Sequence, residues 1–240
     1  MPFLSLQNVH KDFGGVAAVD GVDLGLAAGE LRALVGPNGC GKSTVFNLIS
    51  GSLRATAGRI TLDGTELGGQ APHRIARLGV GRKFQVPSVF GDLTVAENLD
   101  LAGAAGDRWG SGARPQSHLA DRVHLADKTG DLASVLSHGQ RQWLEIGMVL
   151  AARPRLMLLD EPTAGMTAFE TAATVDLIRT MAGENGATIL VIEHDTGFLE
   201  RLDCPVTVMA KGKILATGTY QEIHNDPQVR ALYFGNRSDA

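Results

Sequence analysis

The sequence predicts an α/β fold in which a mixed sheet is covered by helices, with an antiparallel β subdomain near the N-terminus and an inserted α-helical subdomain. Three observations predict it. Apolar strand patterns and helical patterns alternate between residues 156 and 202, as they do where a parallel sheet carries covering helices. The first third of the chain reads instead as short strands separated by glycine turns. The middle, from about residue 86 to 136, carries helix signals and no β-branched strand pattern.

Residues 3–9 alternate loosely between apolar and polar, and 22–26 and 31–35 are short apolar strands. A helix begins at Lys42, runs through Val45, Phe46 and Ile49, and stops at Gly51. Residues 59–62 form another strand, ended by the turn pair Asp63-Gly64, and 79–84 a further one. Thr94 caps a helix bearing Val95, Leu99 and Leu101, with Glu97 placed to complete a capping box. The glycine-rich run 103–116 reads as a loop and 118–126 as a short helix. From 139 to 152, Trp143, Ile146, Gly147 and Leu150 recur at helical spacing. Strand 156–160, helix 168–181, strand 187–193 and helix 196–202 then alternate. Strands 206–209 and 213–216 flank a Lys211-Gly212 turn, and 226–235 is a short amphipathic helix. The expected organisation is one domain of 240 residues, with a body of 1–85 and 153–240 and a helical subdomain of 86–152.

Hydrophobic residues at 44% and charged residues at 20% are those of an ordinary globular protein. A net charge of −4 provides no basic field for nucleic acid, and no nucleic-acid partner is expected. Cys40 and Cys204 fit neither a zinc nor a disulfide framework, as expected in a reducing cytosol. No run approaches the roughly 18 apolar residues of a membrane span, and no basic segment followed by a long apolar stretch opens the chain, so neither a span nor a secretory signal is expected. The thirty glycines are the one compositional excess, and they cluster where chemistry is expected.

Gly36, Pro37, Asn38, Gly39, Cys40, Gly41, Lys42, Ser43 and Thr44 satisfy the P-loop pattern between strand 31–35 and the following helix. Glycines let successive backbone N–H groups turn around the β- and γ-phosphates of a nucleotide, and the helix N-terminus adds the positive end of its dipole. Lys42 neutralises phosphate charge, Ser43 can ligate Mg²⁺, and Cys40 occupies a free position that tolerates a small side chain. The apolar strand 156–160 ends in Asp160 and Glu161. At the C-terminal edge of a sheet, where ligands gather, Asp160 can reach the Mg²⁺ shell and Glu161 can orient or deprotonate the attacking water. Acids are common at strand ends, so this pair alone is weak; joined to the P-loop it is strong.

A P-loop and an acidic strand fit many nucleotide triphosphatases. Leu136, Ser137, His138, Gly139 and Gln140 narrow the choice, because they resemble the LSGGQ signature of ABC ATPases and stand just before the 139–152 helix. Gln85, after strand 79–84, resembles the Q-loop of that family, and His194, after strand 187–193, resembles its switch histidine. With five motifs in the expected order, the chain is identified as a member of the ABC ATPases, which implies a P-loop NTPase (RecA-like) core and hydrolysis of ATP with Mg²⁺. The resemblance implies that Ser137, His138, Gly139 and Gln140 bind ATP held by an opposite subunit. It implies that Gln85 contacts Mg²⁺ or the lytic water and that His194 hydrogen-bonds the γ-phosphate. Phe13 stands where the family stacks an aromatic on adenine, the alternative being an ordinary apolar residue at a strand end. The implied partners are a second ATPase subunit, identical or paralogous, two integral-membrane permease subunits and, indirectly, a periplasmic solute-binding protein. The implied location is the cytoplasmic face of the inner membrane.

Two positions depart from the family pattern. His138 replaces a glycine of the signature, with little effect expected because the helix-start amides do most of the binding. Thr167 stands where many relatives carry an aspartate, so communication through that loop is expected to rely on a hydroxyl. Residues 81–102 resemble ATPase subunits of importers for branched-chain amino acids and for urea. Residues 136–151, 161–167 and 225–235 resemble the urea type more, making urea the expected substrate and branched-chain amino acids the alternative. Within 86–101, Val86, Val89, Phe90 and Leu93 suit either a groove for a membrane partner's helix or plain packing of the helical lobe. An ABC ATPase acting on nucleic acid is disfavoured by the single P-loop and acidic charge, and a P-loop kinase needs no signature segment.

Overall fold

The computed structural model describes residues 2–83, 89–107 and 117–234. In chain order, β1 (Leu4–Phe13), β2 (Val16–Leu26) and β3 (Leu31–Val35) precede α1 (Lys42–Ile49). Then come β4 (Ala57–Leu62), β5 (Thr65–Glu66), α2 (Pro72–Arg77) and β6 (Val80–Lys83). Helices α3 (Val95–Asp107), α4 (Ser117–Arg122) and α5 (His138–Ala151) follow, with two short 3₁₀ turns between α4 and α5. The chain closes with β7 (Leu156–Asp160), α6 (Ala168–Asn185), β8 (Thr188–Ile192), α7 (Thr196–Leu202), β9 (Val206–Ala210), β10 (Lys213–Gly218), α8 (Tyr220–Asn225) and α9 (Pro227–Phe234).

Two sheets result. One is antiparallel throughout, in the order β2-β1-β4-β5. The other has the order β10-β9-β3-β8-β7-β6 and is parallel except for the β9–β10 pair. The mixed sheet and the antiparallel sheet expected from the pattern are both present. Strands β1 and β2 are longer than their apolar patterns indicate, because irregularities after Leu6, Val9 and Lys11 break the alternation of β1. The glycine-rich run expected to loop from residue 103 is instead helical as far as Asp107, where alanines favour continuation; its remainder lies outside the described residues. The helix expected over 118–126 ends at Arg122, and His124 then adopts a left-handed turn with φ 57°. Helix α6 runs four residues beyond its expected end, to a left-handed Gly186 cap.

The large sheet is covered on both faces, and the period of two along each strand divides its side chains between two cores. Leu156 and Leu158 of β7, with Leu190 and Ile192 of β8, face α1 and the antiparallel sheet. Met157 and Leu159, with Ile189 and Val191, face the apolar sides of α5, α6 and α7. The described residues between β6 and β7 add helices and turns but no strand to either sheet. There α3 approaches α5 so closely that a Cβ on Gly147 would lie 2.9 Å from Leu99. Among the described residues, no helix is long and apolar enough to cross a membrane. Both cysteines are free and buried, and burial pushes the Cys204 thiol up to about 12.

The start of α3 is held as the Thr94 pattern predicts: the Thr94 N–H donates to Glu97 at 2.7 Å and the Glu97 N–H to Thr94 Oγ1 at 3.2 Å. Asn98, fully buried, organises the segment before it. Its Oδ1 accepts from the Phe90 N–H at 2.9 Å, and its amide donates to the carbonyls of Phe90 and Thr94 at 3.0 and 2.9 Å. We predict that Asn98→Ala, which removes the acceptor of the part-buried Phe90 N–H while the Phe90 and Thr94 carbonyls keep the Leu93 and Asn98 N–H groups, lowers stability by roughly 1–2 kcal/mol. Urea denaturation monitored by circular dichroism checks this; a change below about 0.5 kcal/mol would mean that water replaces the amide.

Candidate active site

The loop between β3 and α1 is shaped by close backbone approach. A Cβ on Gly36 would collide with the Met209 carbonyl, and one on Gly41 with the Ala18 carbonyl. Gly41 also takes φ 109° as the N-cap of α1, a conformation open chiefly to glycine. The turn between β9 and β10 supports the loop, since the Gly212 N–H donates to the Cys40 carbonyl at 3.0 Å and the Asp20 N–H to the Gly212 carbonyl at 2.8 Å. Cys40 is buried beneath the loop, as a small tolerated side chain. Lys42 is only 8% exposed, and its ammonium donates to the carbonyls of Gly36 and Pro37 at 2.7 and 3.1 Å.

Parallel pairing brings the other groups to the same end. Asp160 closes β7 opposite Ile192 of β8, and the Glu161 N–H donates to the Ile192 carbonyl at 2.9 Å. Glu161 takes φ 45°, a left-handed conformation that costs roughly 1–3 kcal/mol for a side-chain-bearing residue and persists where the surroundings enforce it. His194 Nδ1 lies 3.6 Å from Glu161 Oε1. A cavity of about 410 Å³ is lined by Asn38, Gly39, Gly41, Lys42, Ser43, Thr44, Glu161 and His194, with Ala18 at its edge. Gly36, Pro37, Cys40 and Asp160 are not among the residues that line it. Phe13 does not reach it: its ring is 48% exposed near the β1–β2 turn, with the Lys11 ammonium 4.8 Å from its centroid. Gln85 lies outside the described residues.

Asp160 is 4% exposed. Burial pushes its carboxyl above the usual range; the Arg82 guanidinium at 3.6 Å opposes this, Glu161 adds to it, and Lys83 and Lys42 oppose it. The cradle of glycines, the buried lysine and the α1 N-terminus fit a nucleotide's phosphates, and Ser43 and Asp160 supply the oxygen donors that Mg²⁺ prefers.

Several participants escape sequence reading. Glu193 is 2% exposed. One of its oxygens accepts from the Thr163 hydroxyl at 2.5 Å and the Thr163 N–H at 3.2 Å, and the other accepts from the His194 N–H at 3.0 Å. It therefore ties the loop after Glu161 to the loop that presents His194. Arg82 donates to Asn47 and Ser50 at 2.7 and 3.0 Å while its other nitrogen faces Asp160. Lys83, with no exposed surface, pairs with Glu145 of α5 at 3.5 Å; burial pushes its ammonium below the usual range, against the pull of Glu145. The available signal was charge inside strand-like apolar segments, which a folded chain keeps only when it is paired.

The segment 137–140 does not line the cavity. Ser137 caps α5, accepting from the Gln140 N–H at 3.2 Å while its own N–H donates to the Gln140 side chain at 2.9 Å. The His138 ring is turned toward the Ala164 carbonyl, 3.0 Å away. Thr167 caps α6. On another side, a mostly apolar groove of about 420 Å³ is walled by Ile75, Val80, Ala102, Met148 and Val149, with Arg82 and Glu145 also on its surface. It does not use Val89, Phe90 or Leu93, the residues expected to form a partner groove, and Val86 lies outside the described residues; Val89 packs instead against the core.

Comparison with known proteins places this geometry. The family described as ABC transporter matches residues 19–164. The high-affinity branched-chain amino acid transport ATP-binding protein BraF of Pseudomonas aeruginosa is 35% identical, over 98% of each chain. The protein LivG of Salmonella typhimurium, of the same description, is 37% identical, again over 98% of each. The solved ADP conformation of an ATP-binding cassette of an ABC transporter matches with a TM-score of 0.86 at 28% identity, covering 98% of this chain and 99% of that one.

We predict that Glu193→Gln, which leaves one oxygen to serve two loops, lowers kcat by about 10- to 100-fold with little change in KM for the nucleotide. Steady-state hydrolysis measures both; a rise in KM with kcat intact would place Glu193 in binding instead.

Proposed function

As the chain belongs to the ABC transporter family and is the ATP-hydrolysing subunit of an importer, we propose that it drives uptake of branched-chain amino acids as one of two ATPase subunits docked on two permease subunits. The observation that carries the two-subunit reading is the separation of motifs. The P-loop, Glu161 and His194 meet in one cavity, while residues 137–140 stand outside it at the start of α5. A second subunit, identical or paralogous, would bring its own 137–140 segment to complete that cavity.

Bound there, ATP supplies the phosphoryl group and Mg²⁺ neutralises charge on its phosphates. Lys42 and the loop amides would hold the phosphates, and Ser43, Asp160 and Gln85 would hold the metal. Glu161 would orient the attacking water and accept its proton, His194 would bond the γ-phosphate, and Phe13, outside the cavity lining, would meet the base only where the nucleotide extends beyond that cavity. Residues 86–152 act as a helical unit against a body of 1–85 and 153–240. The apolar groove between α2, β6, α3 and α5 receives a permease segment, at the cytoplasmic face of the inner membrane, with a solute-binding protein acting on the far side.

The substrate reading rests on relatives, since no residue here meets the transported molecule. The names of BraF and LivG favour branched-chain amino acids and lend no support to the urea expected from residues 136–151, 161–167 and 225–235. Urea is the second reading. With the chain reconstituted beside its cognate permeases and binding protein in vesicles, we expect ATP-dependent uptake of labelled leucine; uptake of urea alone reverses the order.

We further predict that Glu161→Gln slows hydrolysis by about 10²- to 10⁴-fold and, with ATP, elutes at twice the monomer mass by light scattering. A monomer under those conditions would argue against shared sites.

A further inference from the structure

The two departures from the family pattern, His138 and the loop ending at Thr167, lie against each other. The Ala164 carbonyl can only accept, so His138 Nε2 carries the proton of their 3.0 Å bond, and the Gln142 Nε2, 3.3 Å from the same atom, is then a packing contact and not a second bond. Gly165, at φ 72°, leaves room for the ring: a Cβ there would lie 3.1 Å from His138 Cδ2 and Nε2. One residue along, the place a Cβ on Gly139 would take is filled by the Glu170 carboxylate. Deeper still, Trp143 Nε1 donates to Thr174 Oγ1 at 2.9 Å, and the Met166 sulfur lies 3.3 Å from that hydroxyl. The first turns of α5 and the segment from 163 to 174 therefore interlock.

The loop also connects back to the cavity. The Ala164 N–H donates to the Glu161 carbonyl at 3.2 Å, and Thr163 is held by Glu193. Thr167 offers no comparable link. Its hydroxyl donates to Glu170 at 2.8 Å and accepts from the Glu170 N–H at 3.3 Å, so its one proton is used within its own capping box.

We propose that His138 is a positioning residue that couples the two ATP sites of the assembled pair: through Ala164 it transmits the position of the 137–140 segment, which meets one ATP, to Glu161, which serves the other. This rests on the two-subunit reading above. A side chain expected to matter little becomes the link between sites, while its backbone N–H remains at the helix start in any variant.

The test is the dependence of hydrolysis rate on ATP concentration for the full chain, held where it pairs. With two sites the Hill coefficient has a ceiling of two, and the wild type is expected well above one. His138→Ala and His138→Phe, which keeps the ring and removes the donor, should both bring it to about one; His138→Gln, which keeps an N–H donor, should retain it. In the Glu161→Gln background all three should still form the ATP-bound pair. A non-cooperative wild type, or a Phe variant as cooperative as the wild type, overturns the proposal. Loss of the pair on His138→Phe also overturns it, since the ring would then act on the opposite nucleotide directly. A Glu161→Gln protein that stays monomeric with His138 intact strikes the two-subunit reading instead.

Discussion

Strands β3, β7 and β8 lie side by side, run in one direction and, beyond Arg32 near the start of β3, are apolar on both faces, so charge gathers at their ends. Because parallel strands share a polarity, those ends coincide. The P-loop leaves β3, the acids Asp160 and Glu161 end β7, and Glu193 and His194 follow β8, all at one edge of the sheet. Residues separated by more than 150 positions in sequence, such as Lys42 and His194, therefore line one cavity.

That edge carries charge in surroundings where charge is costly. Asp160, Glu193, Lys83 and Glu145 are all buried, and each has an opposite charge or hydrogen-bond donors within reach. Removing one member of such a pair costs about 3–5 kcal/mol, against about 0–1 kcal/mol for an exposed pair, so these groups hold their neighbours in defined positions. Arg82 stands at the junction, on the wall of the apolar groove and beside Asp160, while Lys83 and Glu145 join the edge strand β6 to α5. Groove, helix and the Asp160 carboxylate are thus adjacent through two consecutive residues of one short strand.

Transport specificity has no counterpart in this architecture. The cavity suits a nucleotide, and the division between branched-chain amino acids and urea follows likeness to other subunits. Short matching segments favoured urea-type subunits, whereas whole-chain relatives carry the other substrate in their names, because an ATPase is shaped by its nucleotide and its partners.

The residues that gather at the candidate site were legible in the sequence where they belong to local patterns, the P-loop at one strand end and helix start and the acid pair at another strand end. The helix cap at Thr94 was equally local, whereas the cap at Ser137 came from the structure. Tertiary structure alone decided that His138 meets Ala164 across 26 residues, that Glu193 joins the loops after β7 and β8, and that the Thr167 hydroxyl is used within its own cap. It also decided where the apolar groove lies. Spacing along a chain reveals the period and termini of an element; which side chains meet between elements depends on packing, and packing is not periodic.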